Sequence, residues 1–166
     1  MPRRKSLRLH GFDYSSPRSY FVTICTYQRR LLFGSIQGDR MDYSKAGKVV
    51  NLVWRSLPSR LVQISLGCLQ TMPNHFHAIL RIRDFPEFPR LTLGEVVGAF
   101  KSKVMSQYCE GVRTADWPAY YRSLWQRGYY DRIIRNDNEY EQLSEYIHSN
   151  PMRWQLDRLN PENTGR

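Results

Sequence analysis

The sequence predicts an α+β domain of the ferredoxin-like, split βαβ kind. Its four-stranded antiparallel sheet carries helices on one face, with an added C-terminal helix that bears a tyrosine. Three observations predict it. Segments rich in β-branched and aromatic residues alternate with segments apolar at helical spacing, in the order strand–helix–strand–strand–helix–strand and then one more helix. The 166 residues, 41% of them hydrophobic, suit a single core. No internal repeat or second domain is visible, and such a sheet is expected to leave its second face free for a ligand.

Residues 20–27 are aromatic and β-branched and read as the first strand. Leu31, Leu32 and Phe33 extend it or pack beneath a loop punctuated by Gly34 and Gly38. Residues 44–57 repeat Val49, Val50, Val53, Trp54 and Leu57 at helical spacing, and Pro58 stops them. Residues 66–71 and 75–83 are two strands joined by a turn at Pro73-Asn74, and the loop over 84–90 holds Pro86 and Pro89. Residues 93–108 form the second helix, with Val96, Val97, Phe100, Val104 and Tyr108 on one face. An irregular stretch over 111–122 contains Trp117-Pro118, and residues 124–135 are mostly strand. Asp137 is expected to cap a third helix that runs to about Asn150, where Pro151 ends it. The predicted organisation is a basic arm over 1–17, one domain over 18–154, and a polar tail over 155–166 that frays.

The net charge of +10 and pI near 9.8 point to a polyanionic partner, and aromatics interleaved with arginines favour nucleic acid. No apolar run has the length of a membrane span, and no helix pairs a basic face with a broad apolar one, so no membrane partner is expected. The basic start, Met1 to Lys5, is not followed by an apolar stretch, which predicts no secretory signal. Cys25, Cys68 and Cys109 are scattered, which argues against disulfides and for a reducing, cytoplasmic setting.

The run Met72-Pro73-Asn74-His75-Phe76-His77-Ala78-Ile79-Leu80 carries the chemistry. Side chains alternate along a strand, so His75 and His77 share one face and Phe76 takes the other. Two adjacent imidazoles suit a cation, or else a pair of hydrogen-bonded core histidines. By ligand softness zinc is the default ion. A closed zinc site needs four protein ligands, usually with cysteine, and the cysteines here form no close pair, which leaves an open, catalytic site. Chemistry on a phosphodiester also needs a nucleophile. In the last helix Tyr140, Leu143 and Ile147 form the apolar stripe, while Tyr146 and Asn150 fall together on its flank, one turn apart. Such a tyrosine can reach the edge of the histidine face.

These segments, together with Tyr20-Phe21-Val22-Thr23, Ala99-Phe100-Lys101-Ser102, the run Trp125 to Asp131, and Glu145-Tyr146-Ile147 with Asn150-Pro151 and Trp154, resemble the single-tyrosine HUH transposases. The likeness spans residues 10–154 and looks closest to the branch associated with repetitive extragenic palindromes. It implies a bacterial, nucleoid-associated enzyme that cleaves and rejoins single-stranded DNA beside hairpins through a 5′-phosphotyrosine. By this resemblance Tyr146 is the nucleophile and His75, His77 and Asn150 are ligands of Mg²⁺ or Mn²⁺, with no small-molecule cofactor. Arg3, Arg4, Lys5, Arg8, Lys101, Lys103, Arg127 and Arg132 are the candidate DNA contacts. Arg132 departs from relatives, which often carry histidine there. The chain is expected to act as a monomer or homodimer. The rival readings are a non-catalytic module that binds hairpin DNA or RNA, and a zinc hydrolase unrelated to nucleic acid.

Overall fold

The computed structural model describes residues 13–163, so Arg3, Arg4, Lys5 and Arg8 lie outside the described residues. Four strands form one antiparallel sheet: β1 (Ser19–Cys25), β4 (Ile64–Thr71), β5 (His75–Ile82) and β6 (Tyr130–Ile134), in the order β4-β5-β1-β6. Helices α1 (Lys45–Ser56) and α2 (Leu93–Thr114) follow β1 and β5. This is the expected α+β, ferredoxin-like arrangement, with the two central strands contributing the histidines and their neighbours.

Alternation along β1 and β5 divides the core in two. Tyr20, Val22 and Ile24 of β1 and Phe76, Ala78 and Leu80 of β5 face α1 and α2, meeting Val50, Val53, Trp54, Val97, Phe100 and Val104. Trp54 is fully buried with its ring 5.0 Å from both Phe76 and Phe100, so an aromatic cluster lies directly behind the histidine strand. Each helix start is secured locally. Ser44 accepts from Gly47 N at 3.1 Å, and Thr92 and Glu95 form a reciprocal capping box.

The second face is not left open. Helix α3 (Asp137–Ser149) crosses it, and Ile147, Tyr140 and Leu143 pack on Ile79, Ile134, Phe21 and Cys68. The stripe read from the sequence is the one that is buried. Gly67 makes this approach possible, because a Cβ there would stand 2.7 Å from the Tyr140 hydroxyl and 3.1 Å from Ile79 Cβ. The strand slips register at the same point, between Leu66 and Leu69.

Four further features differ from expectation. Residues 34–43 form a hairpin, β2 (Gly34–Gln37) and β3 (Arg40–Tyr43), instead of a loop; its strands are too short for alternation to register. Helix α2 continues to Thr114, and Gly111 within it admits Trp117, whose ring would lie 2.2 Å from a Cβ at that position. Residues 124–128 join the sheet only through a Thr26–Trp125 bridge. Their carbonyls instead take hydrogen bonds from Lys101, whose Nζ donates to Gln126 O and Gly128 O at 2.8 and 3.0 Å. Asn136, not Asp137, caps α3, accepting from Glu139 N at 2.9 Å.

The described part of the tail has regular turns and hydrogen bonds. It winds through 3₁₀ turns at Pro151–Leu156 and Pro161–Asn163 and returns to the sheet end. Among the described residues no helix is long and apolar enough to cross a membrane.

Trp54→Ala is expected to cost about 3–5 kcal/mol in a urea titration. Trp54→Phe should cost far less, because the buried indole nitrogen makes no hydrogen bond to lose.

Candidate active site

The site begins with a turn tied down by backbone hydrogen bonds. Pro73 O accepts from Leu32 N and Phe33 N at 2.9 and 3.0 Å, and Asn74 O accepts from Thr26 N and Thr26 Oγ1 at 2.9 and 3.0 Å. The β4–β5 turn is thereby fastened to the segment after β1, which fixes where β5 starts. His75 then lies opposite Cys25, and His77 opposite Thr23, on the face that α3 covers.

Both imidazoles are sequestered, at 0% and 2% exposure. Their Nε2 atoms stand 3.0 Å apart, and their outer nitrogens bond to Asn74 Oδ1 and Thr23 Oγ1, each at 2.8 Å. Two nitrogen lone pairs at 3.0 Å repel unless a proton or a cation sits between them. Burial holds both rings neutral: His75 falls well below the usual histidine range, helped by the neighbouring His77, and desolvation pushes His77 down to about 3.

Asp157 completes the cluster from the tail. Its Oδ1 accepts from Leu159 N at 2.7 Å, while its Oδ2 faces His75 Nε2 at 3.7 Å. Because the ring is neutral, that contact is a carboxylate beside an imidazole and not an ion pair. Ligand atoms of His75, His77 and Asp157 all lie within 4.8 Å of one another. Asp157 Oδ2 and Asn150 Oδ1 are buried without a hydrogen-bond partner. The Asn150 amide nonetheless stands close enough to His75 and Tyr146 to shift both toward their charged forms. Two orphaned oxygens and two facing nitrogens are what a divalent cation satisfies, so this donor set fits one.

Tyr146 is on the margin of α3, 37% exposed, with its ring 5.3 Å from His77 and 6.1 Å from Phe21, both edge-on. Phe21 itself stacks on His77 at 5.4 Å, and Trp154 tilts over His75 at 6.1 Å. One chain thus brings the tyrosine against its own histidine pair. Burial raises the phenol above its ordinary pKa and the Asp157 charge adds to this, while Asn150, Arg158 and Arg153 oppose it. The phenol is therefore protonated at neutral pH.

The other basic positions divide. Lys103 and Arg127 are exposed. Lys101 is engaged by two carbonyls, and Arg132 lies on the site face opposite Phe21, ion-paired to Glu139 in the first turn of α3. Sequence reasoning missed Asp157, Asn74, Thr23, Arg153 and Arg158. Asn74 and Thr23 had no signal beyond adjacency to the histidines or to their pairing strand, and the tail's polarity hid Asp157.

The histidine shifts fix the sign of the acid response. Both folded values lie below the unfolded 6.5. Stability from this pair is therefore whole above about pH 6.5 and falls with acidification, since only the unfolded chain takes up the protons. The limiting loss is about 1.4 kcal/mol per pH unit for each ring. Urea titrations from pH 7.5 to 5.5 should record it, and His77→Gln should flatten the slope. Asp157 is displaced the other way: burial raises it, so stability falls as pH rises from the unfolded value of 3.8 to the folded one and stays lowered above it. Asp157→Asn should stabilise the metal-free chain at pH 7 and abolish any further gain in melting temperature from Mn²⁺.

Comparison with known proteins gives this geometry its relatives. Residues 18–150 match the family described as IS200-like transposases. An uncharacterised protein of Haemophilus influenzae is 32% identical, covering 94% of this chain and 92% of its own length. A REP-associated tyrosine transposase solved with a REP hairpin aligns with a TM-score of 0.62 at 16% identity, over 91% of this chain and 76% of that one. A protein of Deinococcus radiodurans R1, assigned as a transposase, aligns at 0.54 and 16% identity, over 84% of this chain and 94% of its own. At that identity the two structures speak for the fold, and the family match for the lineage: the chain belongs to the IS200-like transposase family.

Proposed function

We propose that this protein is a metal-dependent transposase that cleaves and rejoins single-stranded DNA beside hairpins, with Tyr146 as nucleophile. The observation that carries the reading is the meeting, within one chain, of the Tyr146 ring and the paired histidines, 5.3 Å from His77. The hairpin-bound structure among its structural relatives supports a folded palindrome as the DNA partner. His75, His77, Asn150 and Asp157 would hold the cation. Two imidazole nitrogens beside oxygen donors suit Mn²⁺ better than Mg²⁺, which favours all-oxygen shells. A divalent ion there supplies Lewis acidity toward a phosphate oxygen.

The chain's own residues do the rest. Phe21 and His77 hold the Tyr146 ring edge-on, which restricts the directions its hydroxyl can take. In the step itself, the phenolic oxygen forms the new bond to phosphorus as the bond to the 3′ oxygen breaks. The phenolic proton leaves, and the departing oxygen takes one up as a 3′-OH. The covalent 5′-phosphotyrosine retains a phosphodiester for rejoining, which suits strand transfer over hydrolysis. Arg153 and Arg158, exposed beside Tyr146, are suited to phosphate contact, with Lys103 and Arg127 further out. Arg3, Arg4, Lys5 and Arg8 are proposed to grip the hairpin. Lys101 and Arg132 contribute to DNA binding only when released from the carbonyls and from Glu139.

Incubation with labelled hairpin oligonucleotides and Mn²⁺ or Mg²⁺, followed by denaturing electrophoresis, should give a covalent protein–DNA adduct. Tyr146→Phe and His77→Ala should abolish it while hairpin binding persists. Tight binding with no adduct from the wild type would mean a non-catalytic hairpin-binding module. Affinity should fall about 10³–10⁵-fold between 50 and 200 mM salt if six to ten phosphates are contacted. Arg153→Ala and Arg158→Ala should each lower the log–log slope by about 1.

A further inference from the structure

We infer that Asn74 is a positioning residue for the cation site: its amide fixes which nitrogen of His75 is free to coordinate, and ties that choice to the seating of the tail at Leu159. The inference rests on the metal-binding reading above and extends it to a residue that touches neither ion nor substrate.

The side chain is 1% exposed and has no water to turn toward. Its Nδ2 donates to Arg29 O at 3.1 Å and to Leu159 O at 2.8 Å, which uses both amide hydrogens. Its Oδ1 is 2.8 Å from His75 Nδ1. The opposite amide orientation would set Oδ1 against two carbonyl oxygens with no hydrogen between them, so the orientation is forced. Oδ1 can only accept, and His75 Nδ1 must therefore carry the hydrogen. A neutral imidazole has one N–H, which leaves Nε2 as a bare lone pair aimed at His77 and Asp157. An acceptor on the far nitrogen also makes the coordinating one more basic.

His77 is held differently. Its Nδ1 meets the Thr23 hydroxyl, which can donate or accept. That ring is free to present Nε2–H to His75, or to move its hydrogen to Nδ1 and offer Nε2 to a cation while Thr23 turns from donor to acceptor. One ring is locked and one adapts, and the lock is Asn74. Because the same amide holds Leu159 O, two residues beyond Asp157, it links His75 to the segment that delivers the carboxylate.

The test is long-range ¹H–¹⁵N correlation of the imidazoles in the full-length, metal-free chain. The expected result is His75 as the Nδ1–H tautomer; an Nε2–H tautomer on His75 would overturn the inference without any variant. In Asn74→Ala the His75 hydrogen should redistribute toward Nε2, and Mn²⁺ affinity read by paramagnetic resonance should fall about 10–100-fold. Asn74→Asp keeps an acceptor toward Nδ1 and should retain the hydrogen there, while its second oxygen, set against the Arg29 and Leu159 carbonyls, should loosen the tail. A merely structural role would lower the melting temperature of Asn74→Ala and leave its His75 tautomer unchanged, which also overturns the inference. A wild-type chain with the expected tautomer that takes up no Mn²⁺ overturns the cation-site reading instead, so the two failures are distinguishable.

Discussion

Two histidines two residues apart on β5 project from one sheet face, and both are buried there; the chain must satisfy four ring nitrogens without water. This constraint organises the site. The outer nitrogens are met by Thr23 from β1 and by Asn74 from the turn before β5, so the strand pairing that builds the sheet also supplies the partners. The inner nitrogens face each other and two oxygens, Asp157 Oδ2 and Asn150 Oδ1, which have no partner of their own. The ring nitrogens thus have partners, and the two inner oxygens have none.

The tyrosine depends on the same burial. Helix α3 covers the histidines with Gly67 yielding room at the β4 irregularity and Ile147 packed beside Ile79. Once α3 is seated, its 3.6-residue period turns Tyr146 to the stripe's edge, where Phe21 and His77 receive the ring, and delivers Asn150 one turn on. The Arg132–Glu139 pair fastens the first turn of α3 to the edge strand β6. An arginine at 132 thus has structural work at the helix start, whatever it does for DNA.

Much of this was legible in the sequence because it is periodic. The His75/His77 pairing on one face follows from strand alternation, and the Tyr146–Asn150 flank follows from helical spacing. The strand and helix order followed from runs long enough to carry a period. What failed to show has no period. The hairpin at 34–43 has four-residue strands, and residues 124–128 are held by a lysine from α2 in place of a ladder. The covering of the second face depended on a close approach at one glycine. Asp157 sits in a polar stretch whose composition reads as a loose end, yet hydrogen bonds from Asn74 and Arg29 to its neighbours' carbonyls hold it in place. No local pattern reports a contact between residues 74 and 159.

Those same bonds govern how firmly the carboxylate is held. Beyond Trp154 the tail is attached by polar contacts from Arg29 and Asn74, and Leu156 is left largely in solvent. The sheet beneath is secured by the aromatic cluster of Trp54, Phe76 and Phe100. A segment with little buried apolar surface opens at a lower free energy than the core. Asn74 joins stretches near residues 29, 74 and 159, so the donor set depends on contacts between segments far apart in the sequence. Opening of the tail would therefore take Asp157 from the donor set while β5 and the end of α3 keep His75, His77 and Asn150 in place.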